Sequence, residues 1–275
     1  MSQKSKLLEI SDPSVDINSL QTTANIVVCD NMTAANVLSL YTARNVRHIV
    51  QKSNLLPECE IKAANVMLDD PAKFLAFPLS TIFGHPQPDD KTEKDHTQLA
   101  FRVSEADQKS DLLDAVEKHV SNISSPKSLA IDVRAVGDEL ITNAIYNAPF
   151  VDRENSFSGP TRDKAKVLID PKKRPLVFIG TNEERVVFGC RDFYGRLNVK
   201  KIAARIQLCY QNNPSQLINY GPGGAGIGSY MVFDSCVSMY IAVEANKSTT
   251  ICCVFPTHMS ARKRHILPKN LHIHF

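Results

Sequence analysis

Apolar residues along this chain fall into short β-branched runs alternating with stretches of helical spacing, a pattern that predicts an α/β fold. Asn25-Ile26-Val27-Val28-Cys29-Asp30 reads as a strand ending in an acid, and Met32 to Tyr41 as a helix. Arg47-His48-Ile49-Val50 and Asp70 to Phe83 repeat the alternation, so residues 1–84 form a small α/β unit. The stretch 85–97, with His85-Pro86-Gln87-Pro88 leading into a run of charges, has the composition of a linker. Leu99 to Val103 then opens a second unit, 98–257. Ser110 and Asp111 cap a helix whose Leu112, Leu113, Val116, His119 and Val120 share a face.

Three further runs, Ala165–Asp170, Leu176–Gly180 and Arg185–Cys190, read as consecutive antiparallel strands. With strands at about 239–245 and 249–256 they predict a mixed sheet covered by helices on one face. Val199 to Tyr210 is an amphipathic helix carrying Lys200, Lys201 and Arg205 on its polar side. Residues 258–275 read as a basic tail, with Arg262, Lys263, Arg264, His265 and Lys269 as a solvated cluster. At its end, His272 and His274 alternate with Leu271, Ile273 and Phe275, as in a strand added to a sheet edge.

Candidate chemistry enters with Asp138-Glu139-Leu140-Ile141-Thr142-Asn143-Ala144-Ile145-Tyr146-Asn147-Ala148. Glu139, Asn143 and Asn147, at i, i+4 and i+8, fall in one polar column on an otherwise apolar helix. Hard oxygen ligands beside a core suit a Mg²⁺ held against phosphates, with a carboxylate free to act as a base. A water-facing stripe is an equal reading of the segment taken alone. Downstream, Gly221-Pro222-Gly223-Gly224-Ala225-Gly226-Ile227-Gly228 runs into an apolar segment and reads as a phosphate cradle. No Lys-Ser or Lys-Thr follows, so it is not a P-loop.

These two segments resemble the asparagine box and second glycine box of the GHKL (histidine-kinase-like) ATPase superfamily. Between them Val186 to Leu197, containing Asp192-Phe193-Tyr194-Gly195, resembles the first glycine box, and Ser248 to Pro256 the closing Thr-containing strand. The four elements occur in the family's order over about residues 98–257. The resemblance implies a two-layer α/β sandwich that binds ATP with Mg²⁺. It assigns Glu139 as catalytic base, Asn143 as metal ligand and Asn147 as support for phosphates or metal waters. It further assigns Asp192 to adenine, Gly195 to cofactor binding as the displaced glycine of the first box, Gly224, Gly226 and Gly228 to phosphates, and Thr249 to the pocket wall. The helix at 199–210 takes the place of the ATP lid. The first glycine box departs from D-x-G-x-G, since Phe193 and Tyr194 follow Asp192; their rings either pack over a purine or fill its space.

Composition narrows the function class. The 275 residues are 43% hydrophobic and 22% charged with a formal net charge of +3, which makes nucleic acid an improbable partner. No apolar run approaches the ~20 residues of a membrane span, and the N-terminus is not of signal-peptide type, so a cytoplasmic protein is expected. The seven cysteines lack C-x-x-C spacing and read as core thiols. No histidine-bearing helical hairpin precedes residue 98, so the organisation is closest to the bacterial anti-sigma-factor serine kinases. The N-terminal unit resembles a degenerate receiver used for docking. The expected function is an ATP-binding signalling protein, either a serine/threonine kinase or a catalytically inactive pseudo-ATPase. Its expected partner is a regulatory protein of anti-anti-sigma or sigma type, and a homodimer is a further expectation.

Overall fold

The computed structural model of the chain describes residues 7–11, 16, 17, 19, 20, 22–85, 99–123, 127–150, 169–212 and 227–275. The N-terminal part contributes β1 (Leu7–Ile10), β2 (Ile26–Cys29), α1 (Ala34–Arg44), β3 (His48–Gln51), α2 (Pro57–Asp69), α3 (Pro71–Ala76) and α4 (Pro78–Phe83). Next come β4 (Leu99–Arg102), α5 (Gln108–Ile123), α6 (Ser128–Thr142), β5 (Leu176–Thr181) and β6 (Arg185–Asp192). The remainder is α7 (Val199–Gln211), α8 (Gly228–Ser235), β7 (Ser238–Glu244), β8 (Ser248–Pro256), α9 (Ala261–Ile266) and β9 (Asn270–His274). The expected linker, and most of the expected strand at 165–170, lie outside the described residues.

The strands form one sheet in the order β1-β2-β3-β9-β7-β8-β6-β5-β4. β1, β2 and β3 are parallel, with α1 crossing over between β2 and β3. β9 is antiparallel to β3 and parallel to β7, while β7, β8, β6, β5 and β4 pair antiparallel in turn. The expected basic tail is therefore corrected. Its last residues form an interior strand that joins the N-terminal unit to the rest of the sheet, rather than an edge. Arg264 and Lys269, expected in solvent, are 1% and 3% exposed. Arg264 pairs with Asp132 of α6 and also donates to the Met259 carbonyl.

Helices cover both faces of the sheet. One face, with Phe188, Cys190, Ile241, Cys253 and Ile273, packs against α1, α5, α6, α7 and α8. The other, with Phe178, Val187, Tyr240, Cys252 and Val254, packs against α2, α3 and α4. Beside the two-layer arrangement expected for residues 98–257, α2, α3 and α4 of the N-terminal part add a third layer on the other face. Burial on both faces is why β6 and β8 read as continuous apolar runs rather than alternating ones. Where the helix at Asp70 to Phe83 was expected, two short helices occur, each starting with a proline at its first position, Pro71 and Pro78.

A polar cluster is sealed under α2 where β3, β9 and β7 meet. Glu60, 1% exposed, accepts from Ser238 Oγ at 3.0 Å and from the Tyr240 hydroxyl, and lies 2.9 Å from His272 Nε2. His272 Nδ1 is in turn 3.4 Å from His48 Nδ1, and the buried Arg185 guanidinium lies 3.9 Å from Glu60. These bonds hold Glu60 below the usual carboxylate range against the opposing push of burial. Burial drives His48 well below the ordinary imidazole value, so it is neutral.

Candidate functional site

The polar column exists as the sequence spaces it. On α6 and the π turn that continues it over Asn143–Asn147, Asn143 Nδ2 donates to Glu139 Oε1 at 2.9 Å, and Asn147 Nδ2 donates to Asn143 Oδ1. Exposure rises along it: Glu139 and Asn143 are half-buried and Asn147 is exposed. π turns inside helices recur at functional sites. Leu140, Ile141, Ala144 and Ile145 anchor the segment in the core. Asp138 faces elsewhere and pairs with Lys109 of α5 at 2.8 Å, while Lys109 also donates to Thr142 Oγ1 at 3.0 Å. Nothing in the sequence pattern flags Lys109, because it lies on a different helix from its partners.

Gly228, the first residue of α8, presses on this column. A Cβ there would coincide with the Glu139 carboxylate, so a larger residue fits only if that side chain is pushed aside. The structure thus brings Glu139 and Gly228 together from segments distant in sequence. Gly224 and Gly226 lie outside the described residues.

Asp192 ends β6 directly opposite Thr249 of β8, so both side chains share the sheet face that packs α6. Asp192 Oδ1 accepts from the amides of Tyr194 at 2.8 Å and Gly195 at 3.2 Å and caps its own turn. Thr249 Oγ1 is buried and has no hydrogen-bond partner among the described residues. Gly195 takes φ +63°, and a Cβ there would strike the Glu244 carbonyl and the Lys247 amide. Asn246 N donates to its carbonyl at 3.1 Å, so Gly195 is occupied by the β7–β8 hairpin.

Cations gather around the Phe193 and Tyr194 rings. Arg102 lies 5.4 Å from the Phe193 ring centroid, and Lys173 and Arg196 lie 5.2 and 5.9 Å from that of Tyr194. Lys173 also donates to the Phe193 carbonyl, and Arg196 to the Pro149 carbonyl at 3.2 Å, which ties this turn to the residues that follow the π turn. Burial, with the negative charges of Asp170 and Asp192, raises the Tyr194 phenol above its usual value.

The lid expectation for α7 is corrected. Val199, Ala203, Ile206 and Cys209 are buried, and Gln207 joins α7 to α1 through Thr42 Oγ1 at 3.0 Å and Ser39 Oγ at 2.8 Å. Its amphipathic pattern reflects packing between the sheet and α1.

The residues present fit the group that the resemblance implies. Thr249 has an unused buried hydroxyl beside Asp192, Asn143 has a hard amide oxygen on a polar column, and Gly228 leaves bare backbone at Glu139. Among the described residues no cluster of three or more His, Cys, Asp or Glu forms a metal centre. Mg²⁺ sites commonly use one or two protein ligands together with phosphates and water. No helix among the described residues is long and apolar enough to cross a membrane.

No protein-family model matches the chain, and no curated protein does. Among solved structures the chain is similar to the crystal structure of the SiaB-SiaC complex from Pseudomonas aeruginosa, at 15% identity and a TM-score of 0.38, over 58% of this chain and 90% of that one.

Proposed function

We propose that this chain is a nucleotide-binding signalling protein of the histidine-kinase-like ATPase type, acting on or through a protein partner. The observation that carries the reading is the meeting of Glu139 and Gly228, which joins a carboxylate and carboxamide column to the start of a helix that follows a glycine-rich segment. Asn143 would hold Mg²⁺ and Asn147 would support it. Gly224, Gly226 and Gly228 would hold the phosphates, and Asp192 with Thr249 the adenine. Bound MgATP would supply a transferable phosphoryl group. Glu139 would accept the proton of the attacking hydroxyl, and its hydrogen bond from Asn143 orients the carboxylate for that task.

In the kinase reading, the substrate is a serine or threonine hydroxyl on a regulatory protein of anti-anti-sigma or sigma type, with the N-terminal unit as a docking surface. A pseudo-ATPase reading has one observation in its favour: Asp192 Oδ1 is engaged by its own turn, next to Phe193 and Tyr194. ATP binding measured with and without Mg²⁺, followed by single-turnover assays on candidate partners, tests the proposal. Mg²⁺-dependent ATP binding with phosphate on a partner hydroxyl supports the kinase. Binding without transfer leaves the switch, and no binding removes both in favour of an empty pseudo-ATPase. Stoichiometric phosphate on His119 would instead make the chain an autophosphorylating histidine kinase.

A further inference from the structure

An open cleft of about 280 Å³, lined by polar and apolar residues alike, lies at the opposite end of α8 from Gly228. Its walls are the β2–α1 turn from Asn31 to Ala34, Tyr210 of α7, Asp234 of α8 and the segment from His265 to Lys269 that enters β9. It sits at the carboxyl end of parallel strand β2, beside the point where the parallel set β1-β2-β3 gives way to antiparallel β9. Crevices at the carboxyl ends of strands are where open α/β sheets take ligands.

The walls are fixed by the protein itself. Gln51 accepts from Met32 N at 2.9 Å through Oε1 and donates to the Met32 carbonyl at 2.8 Å, and its own amide donates to Asn270 Oδ1 at 2.8 Å. The β2–α1 turn is thereby clamped to β3 and β9. Asp234 brings a carboxylate, but its oxygens are taken by the Tyr210 hydroxyl at 2.8 Å and lie 3.1 Å from His265 Nδ1.

What remains is donor capacity. Lys269 is 3% exposed, and its ammonium donates to the Asp234 carbonyl at 2.6 Å and the Cys236 carbonyl at 2.8 Å, two bonds for three protons. Thr33 caps α1, taking the Asn36 amide on Oγ1 and the Val37 amide on its carbonyl. Among the described residues the amides of Ala34 and Ala35 find no acceptor. Lys269 and the start of α1 thus line one cleft, somewhat smaller than the ~300–1,000 Å³ of drug-sized sites.

We propose that this cavity binds a small anionic metabolite, gripped through a phosphate or carboxylate group by the Lys269 ammonium and the first-turn amides of α1. The site is independent of the nucleotide reading.

Amide NMR of the full chain, titrated with inorganic phosphate and in parallel with acetate, tests it. Saturable shifts at Ala34, Ala35 and the His265 ring are expected with at least one anion, and the stronger of the two identifies the headgroup. Ala34→Pro removes one donor at a helix position that favours proline, after a Thr33 already extended at φ −65°, ψ 153°, so the fold is retained. It and Lys269→Met should each weaken binding by about tenfold or more, the loss of one charge-assisted hydrogen bond. Shifts that fail to saturate with both anions, or saturable binding that Ala34→Pro leaves unchanged, mean an adventitious ion only and overturn the proposal.

Discussion

The Glu139 carboxylate occupies the space into which a side chain at Gly228 would project. The two residues belong to different helices, and the contact holds α6 against the start of α8. Gly228→Ala should therefore displace the Glu139 carboxylate, the movable end of a half-buried side chain, and cost about 1 kcal/mol of stability, the worth of the hydrogen bond from Asn143 that it breaks. In a Glu139→Ala background the same substitution should cost much less. Denaturant unfolding of the four proteins in the double-mutant cycle reads the coupling directly, and additive losses would mean that the two residues do not meet.

Gly195 should behave differently. Its positive φ and its contact with the β7–β8 hairpin make Gly195→Ala destabilising without any ligand, by more than the ~0.4–1 kcal/mol that a compatible Gly-to-Ala exchange gains. Thermal unfolding of the ligand-free variant is the check. An unchanged midpoint would free Gly195 for a nucleotide role.

Much of this arrangement is legible in the sequence. β5, β6, β7 and β8 announce themselves as β-branched runs, and the spacing of Glu139, Asn143 and Asn147 gives the column because all three share one continuous helical segment. The third layer is hidden because α2 buries Glu60 along with Ala63, Ala64 and Met67, and a charged residue facing the core masks the helix's apolar stripe. β9 reads as an edge strand because histidine usually marks a wet face, yet His272 is fully buried, stacked on Tyr240 at 4.3 Å and bonded to Glu60. The basic cluster misleads for the same reason. Arg264 and Lys269 find their partners only in the folded chain, Asp132 and the carbonyls at the end of α8.

The buried cluster predicts a pH dependence. His48 has a folded-state pKa depressed below its unfolded value, so the unfolded chain binds more protons in acid. Stability should be fully present above about pH 6.5 and should fall below it, with a slope of up to about 1.4 kcal/mol per pH unit from this one group. Glu60, also depressed, adds a second loss below its ordinary value of 4.5. Urea unfolding between pH 8 and pH 5 measures the first window, and His48→Gln should flatten it.

Removing the centre of that cluster should be severe. Glu60→Ala strands the Arg185 guanidinium, 1% exposed, and deprives Ser238, Tyr240 and His272 of their acceptor. A loss of about 3–5 kcal/mol is expected. A loss below about 1 kcal/mol in equilibrium unfolding would show that the cluster contributes little.

The central claim is that the Glu139–Asn143–Asn147 column is a Mg²⁺-nucleotide site, and calorimetric titration of ATP into wild type and Asn143→Ala, each with and without Mg²⁺, tests it most directly. Asn143 is half-buried at the edge of the core, so its replacement should leave the fold intact. The account predicts ATP binding to the wild type that strengthens with Mg²⁺ and a variant that has lost the Mg²⁺-dependent part. Equal ATP affinity in both proteins, with the same response to Mg²⁺, would contradict it.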